Sequence, residues 1–392
     1  MNQDRFPAVL SAAAHGRVLV DNAAGAQLPD RALERLQRYL TYDNAQRGSV
    51  FARTEATNEL VEEAKRECAA LIGAPVERVG TGLNSSTLAF AFARLVAASI
   101  RSGDRIVVTA ADHEANVAPW MWLRRFGAQV HVVPVDRHGD LDEEKYRLLL
   151  ASEPVLVALP WASNATGTVY DVAALSRAAK AAGATVVVDG VQAFPHFPLE
   201  IPRSVDFVFF SAYKCYAPHL AFWYLSEGAF ERFVRADDER IPSDARYWTL
   251  ETGTQSYEAL AGWLGTVEYL RDIAPEPRRA LAAIARYEAD LSEYTRLAFA
   301  ERAERVTLYG RPASDGRLPV FAFNVAGVAG EEIARRLEAA GIEARLGDYY
   351  APRLMQTLAP DFAGRALRIS LAHYNTREDV ERCFAVIDGV AG

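Results

Sequence analysis

Two stretches of the chain end in groups of complementary chemistry. The apolar run Thr185–Val188 is followed by Asp189, and the run Phe207–Phe210 by Ser211, Ala212, Tyr213 and Lys214. Each run has the length and the β-branched or aromatic content of a buried parallel strand. Open α/β sheets bind ligands outside the carboxyl ends of their strands, so this carboxylate and this amine are expected to face one crevice. A lysine there can form a Schiff base with an aldehyde, and an aspartate can keep a pyridine nitrogen protonated. That is the pair a pyridoxal 5'-phosphate (PLP) site requires. A lysine by itself is usually a solvated surface residue; the neighbouring segments supply the rest of the argument.

Two further loops follow candidate strands and carry polar residues. Asp112–Asn116 (DHEAN) comes after Ile106–Thr109, and Ser163–Gly167 (SNATG) after Val155–Leu159. These strand ends together would bring His113, Asn164, Asp189 and Lys214 to one rim. Residues 80–98 read as a glycine turn, a small polar cluster and then a helix. Backbone N–H groups and hydroxyls at a helix start form an anion site, which makes Asn84, Ser85 and Ser86 candidates for holding a phosphate. The same residues also cap helices that bind nothing.

The elements that must position these groups alternate. Strand candidates at 106–109, 130–135, 155–159, 185–188 and 207–210 are separated by helices, most clearly Val172–Ala182, capped by Asp171 and stopped by Gly183. Such alternation means βαβ units and a mostly parallel sheet. Ala221–Leu225 reads as another strand. Upstream, 17–24 is a short strand ending in a turn at Asp21 and Asn22, and Pro29–Leu40 a helix. Tyr42–Thr57 has no clear period and is expected to be a loop within reach of a neighbouring subunit. An amphipathic helix follows it, capped by Thr57 or Asn58, with Leu60, Val61, Ala64, Cys68, Leu71 and Ile72 on one face and Gly73 at its end. Residues 236–257 are mostly polar and form a loop containing Gly253 and Thr254. Long helices are expected at 260–272 and 277–299. After them, strands at 318–325 and 367–372 and helices at 330–340 and 377–387 suggest a smaller α+β domain. The predicted division is a large α/β domain over 17–265 and a small one from 1–16 and 266–392.

Composition narrows the class. The chain has 392 residues, half of them hydrophobic, and a net charge of −8, which argues against nucleic acid or an anionic membrane surface as the main partner. Its three cysteines, Cys68, Cys215 and Cys383, show neither metal-type spacing nor a disulfide framework and suit a reducing, cytoplasmic setting. No signal-peptide pattern opens the sequence and no apolar run is long enough to span a membrane.

Taken together, VDNAA near the start, DHEANVAPW, VVVDGVQAFPH with SAYK ending 25 residues after the aspartate, and ISLAHYNTRED near the end resemble the class V aminotransferases. Within them the likeness is to the cysteine desulfurase-like group of fold-type-I PLP enzymes. The resemblance implies a mostly parallel seven-stranded sheet flanked by helices, with a smaller α+β C-terminal domain. It implies that Lys214 holds PLP, Asp189 pairs with its pyridinium nitrogen, His113 stacks on its ring and moves protons, and Gln192 bonds its phenolic oxygen. Asn164 would border that oxygen and the substrate; Asn84, Ser85 and Ser211 would bind phosphate. Thr254 would reach the phosphate of a neighbouring subunit, which implies a homodimer with shared sites, and Arg368 would clamp an amino-acid substrate's carboxylate.

The pattern is departed from twice. Tyr213 precedes the lysine where the desulfurases usually have histidine; its hydroxyl could still reach the phosphate. The loop that carries their persulfide-forming cysteine is here Arg345–Met355, with Tyr350 at the cysteine's place and no cysteine inside it. Thiolate chemistry needs a thiolate, and neither Cys215 nor Cys383 is expected to replace it. The leading expectation is therefore β-elimination from a cysteine-type S-conjugate. Transamination, Cα epimerisation or decarboxylating deamination are the alternatives, and a non-catalytic binding protein on the same fold the contrasting one. Tyr350 and Arg345 are expected at the substrate, Arg345 binding a second acid or pairing with Asp348. His196, His219 and His373 are expected in structural roles.

Overall fold

A computed structural model describes residues 2–233, 250–313 and 315–391; most of the polar stretch expected as a loop at 236–257 lies outside them. The strands are β1 (Val18–Leu19), β2 (Val79–Gly82), β3 (Arg105–Thr109), β4 (Gln129–Val133), β5 (Leu156–Pro160), β6 (Thr185–Asp189), β7 (Phe207–Ser211), β8 (Ala221–Leu225), β9 (Val306–Leu308), β10 (Val320–Val325), β11 (Ile342–Glu343), β12 (Arg345–Gly347) and β13 (Ala366–Ser370). Seven of them form one sheet in the order β2-β8-β7-β6-β5-β3-β4. Strands β3 to β7 run parallel, and β8 is antiparallel to both of its neighbours.

The sheet is covered on both faces, which is why its strands are continuous apolar runs. Val186, Val188, Val208 and Phe210 enter one core, while Val187, Phe207 and Phe209 enter another on the opposite side. The connection from β3 goes one way to β4, whereas β5 lies on the other side of β3. This reversal opens a crevice at the carboxyl ends of β3 and β5. Next to it Pro160, Asp189 and Phe209 lie side by side in register.

Where the structure departs from the pattern of the sequence, packing explains it. The helix expected to start at Thr57 begins at Ala52 and runs to Ile72. Thr54 and Thr57 are buried and donate to the main-chain carbonyls of Gln46 and Ala45, so polar residues face inward and interrupt the apolar stripe. Strand β2 (VGTG) reads as a turn because of its glycines. Trp223 of β8 lies over Gly80, where an added Cβ would stand 2.1 Å from the indole, and the indole N–H donates to the Thr81 carbonyl at 3.1 Å.

The C-terminal part contains a four-stranded sheet, β12-β13-β10-β9. The N-terminal arm touches both bodies. Phe6 packs against Tyr216 and Tyr269, whereas β1 pairs with β11 and places Val18 and Val20 in the core of the C-terminal sheet. These contacts cross the predicted division at residue 17. Among the described residues no helix is long and apolar enough to cross a membrane.

Candidate active site

Asp189, the last residue of β6, and Lys214, at the end of the helical turn Ala212–Lys214 after β7, line one cavity of about 130 Å³. Asn84, Ser85, His113, Asn164, Gln192, Ser211 and Tyr213 line it too. Asn84 caps the helix Ser85–Ala97 by accepting from Thr87 N–H at 2.8 Å, and Ser85 and Ser211 share a hydroxyl hydrogen bond of 2.6 Å. Two hydroxyls and the first turn of a helix thus occupy the end of the cavity suited to an anion. His113, Asn164, Tyr213 and Lys214 also border a wider cleft of about 770 Å³, lined in addition by Phe90, Arg345, Tyr350 and Arg368.

The loop after β3 is held rigidly. Buried Asp112 accepts from Thr109 at 2.6 Å and from Asn116 at 2.8 Å, and Asn116 also donates to the Leu159 carbonyl of β5. His113 Nδ1 accepts from Ala115 N–H at 3.0 Å, which leaves the ring proton on Nε2. Burial, with Lys214 and Arg368 nearby, lowers the His113 pKa to about 3, so the ring is neutral at working pH.

Lys214 Nζ donates to Gln192 Oε1 at 2.9 Å. Burial, then Arg368, pull the lysine's pKa down, while burial pushes that of Asp189 up. Asp189 Oδ1 accepts from Val191 N–H at 2.9 Å. A desolvated amine is a better nucleophile and base, and a desolvated carboxylate gains most from a cationic partner.

Arg368 is buried at the cleft floor, donating to the Asn164 carbonyl and to Asp21, each at 2.8 Å, while its Nε has no partner among the described residues. Arg345 pairs with the other oxygen of Asp21 at 2.7 Å, not with Asp348. Asp21 was legible in the sequence only as a turn residue, since its partners lie more than 300 positions away. The stretch read as a loop at 345–355 begins with strand β12. It continues through Tyr349 and Tyr350, both in the left-handed region at φ 58°. Main-chain contacts hold this costly conformation: Asn164 Nδ2 donates to Tyr349 O and Glu114 N–H to Tyr350 O, both at 2.7 Å. Arg353 pairs with Glu114 across the same junction. Tyr349 is buried with the Arg368 guanidinium 4.6 Å from its ring, whereas Tyr350 is 69% exposed and its ring lies 5.5 Å from that of His113.

One candidate stands apart. Thr254 lines a separate cavity with Thr81, Arg94 and Glu251, which holds neither Asp189 nor Lys214. His219 borders that cavity and stacks on Tyr213 at 5.1 Å, and Thr87, which also borders it, donates its N–H to Asn84 of the Asp189 cavity.

The profile of the family described as Aminotransferase class-V matches residues 18–383. The chain belongs to that family. A cysteine desulfurase of Enterobacter sp. (strain 638) is 31% identical over 386 residues, covering 93% of this chain and 90% of its own. The aminotransferase-like protein FGM3 of Gibberella zeae is 28% identical, covering 99% and 97%. Among solved structures, the apo cysteine desulfurase of Thermococcus onnurineus NA1 superposes with a TM-score of 0.88 at 25% identity, covering 99% of this chain and 97% of its own.

Class V aminotransferases are PLP-dependent, and this chain is a PLP-dependent enzyme. Its own residues fit the cofactor. An amine and an acid share one cavity with a helix start suited to an anion, and Asn164 Oδ1, buried at the cavity wall, has no partner among the described residues.

Proposed function

We propose that the protein is a C–S β-lyase acting on a cysteine-type S-conjugate. The observation that carries this reading is the state of its thiols. All three cysteines are buried, burial pushes each thiol's pKa up, and Tyr350 occupies the loop beside His113. A persulfide-forming step lacks its thiolate; β-elimination needs none.

The residues take the following roles. Arg368, its plane fixed by Asn164 and Asp21, receives the substrate carboxylate. Bound PLP supplies an electron sink for charge at Cα. Lys214 would remove the Cα proton, and its lowered basicity suits that task. Asp189 holds positive charge at the pyridine end. Neutral His113 covers one face of the site and keeps water away. The C–S bond then breaks with its electron pair on sulfur, which takes up a proton. The products are a thiol and 2-aminoacrylate, and water converts the latter to pyruvate and ammonia. Phe90, Ala118 and Tyr350 give the cleft an apolar wall for a thiol substituent.

Thr254 is assigned to the site of a second copy of the chain. Exposed Leu33, Leu40, Tyr42, Val50, Phe51 and Leu83 support such an interface, and light scattering reads the dimer directly. The likeness to an aminotransferase-like protein favours transamination as the second reading. Incubation with a cysteine S-conjugate separates the two: pyruvate and free thiol in equal amounts support the lyase. A keto acid formed only with an added acceptor, and no thiol, overturns it.

A further inference from the structure

The geometry points to a buried relay behind the reacting amine, in which Glu288 and His196 set the orientation of the Gln192 amide and so decide which of its atoms faces Lys214. Gln192 Oε1 accepts from Lys214 Nζ at 2.9 Å, and Gln192 Nε2 lies 3.2 Å from His196 Nε2. His196 Nδ1 lies 2.7 Å from Glu288 Oε2, and Tyr216 donates to the other Glu288 oxygen at 3.5 Å. Glu288 reaches this point from the helix Pro277–Ala300, 92 residues beyond His196. All four side chains from Lys214 to Glu288 are buried.

An acid at 2% exposure is costly unless paired, and its partner here is the histidine. As a carboxylate Glu288 only accepts, so Nδ1 donates to it, and in the neutral ring Nε2 is left as an acceptor. The Gln192 atom facing Nε2 must then be the amide nitrogen. This turns Oε1 towards the Lys214 amine and leaves the second amide N–H as a donor for an anionic oxygen in the cavity. The reversed histidine tautomer would turn the amide round and put its NH₂ group, in place of Oε1, against the Lys214 amine. The other titratable groups around the pair include Tyr216, Cys215, His373, Tyr374 and Tyr287, and burial favours the neutral form of each. Glu288 and His196 are positioning residues: neither lines the cavity that holds Asp189 and Lys214.

This inference rests on the PLP site described above, and its test is read in two ways. Long-range ¹H–¹⁵N correlation on histidine-labelled protein, with His196→Phe for assignment, is expected to show His196 protonated at Nδ1 and bare at Nε2. Protonation at Nε2 overturns the relay. The tautomer is read equally in the cofactor-free chain, so a failure of the cofactor assignment leaves this arm standing. In the holoenzyme, the pH at which the visible band of the bound cofactor changes is expected to rise by about 0.5 unit or more in His196→Phe, because the donor to the phenolic oxygen is no longer held. Glu288→Gln, which keeps the volume without dictating the tautomer, moves it the same way by less. An unmoved inflection in both, whatever happens to Tm, reduces the pair to a packing role and overturns the inference.

Discussion

Asp21 and Arg368 form a 2.8 Å ion pair on the floor of the cleft, and the second Asp21 oxygen holds Arg345. The guanidinium assigned to the substrate carboxylate is therefore oriented before substrate arrives. Two arginines against one aspartate leave a net positive charge for an incoming acid. Arg368→Lys keeps that charge but loses the planar fork. We expect kcat/KM to fall about 100-fold, mainly through KM, equivalent to about 2–3 kcal/mol for a charged hydrogen-bonded contact. Asp21→Asn, which only loosens the clamp, should cost about tenfold. Steady-state kinetics with one S-conjugate checks both.

Asp189 exchanges stability for function. Its folded pKa lies above the unfolded value because the carboxylate is desolvated. The folded state therefore binds that proton more tightly, and stability is lost as pH rises from the ordinary aspartate range near about 4 through the raised folded value. Asp189→Asn removes the buried charge. The cofactor-free mutant should melt about 1–3 °C above the parent at pH 8 and not above it at pH 3, while turnover should fall at least about 100-fold if, as proposed, Asp189 is the counter-ion of the pyridine nitrogen. Calorimetry at the two pH values and a turnover assay test the two halves.

The paired tyrosines should separate by role. Tyr349→Phe loses the buried hydroxyl that donates to the Ala366 carbonyl and should cost about 1 kcal/mol in urea unfolding. Tyr350→Ala should leave stability within about 0.5 kcal/mol, since the ring is largely exposed. Its effect should appear in kcat/KM for aryl or benzyl conjugates, and far less for small S-alkyl ones.

Gly80→Ala tests the edge of the large sheet. The new methyl would meet the Trp223 ring with no room to move aside, so we expect a loss of about 1–3 kcal/mol. The denaturation midpoint, followed by circular dichroism, reports it.

The parallel strands and the acid–lysine pair were legible because β6 and β7 are uniform apolar runs that stop at Asp189 and Ser211. Helix 172–181 was equally plain, its Asp171 cap accepting from Ala174 N–H as the pattern required. Strand β2 was hidden because glycines that make room for an indole look like a turn. The start of helix 52–72 was hidden because buried threonines satisfy themselves on main-chain carbonyls. Asp21 and Glu288 carry no local signal: each acts through a partner that only the folded chain brings near. For Arg345 the sequence leaves a second substrate acid or the neighbouring Asp348 as partner, and the structure pairs it with Asp21.

The pairing of Asp21 with Arg368 spans 347 positions, and both Asp189 and Lys214 lie between them in the chain. A chain still on the ribosome therefore carries its lysine and its acid long before it has anything to grip a substrate with. A product truncated before β13 would hold the amine of Lys214 without the arginine proposed as its substrate's anchor.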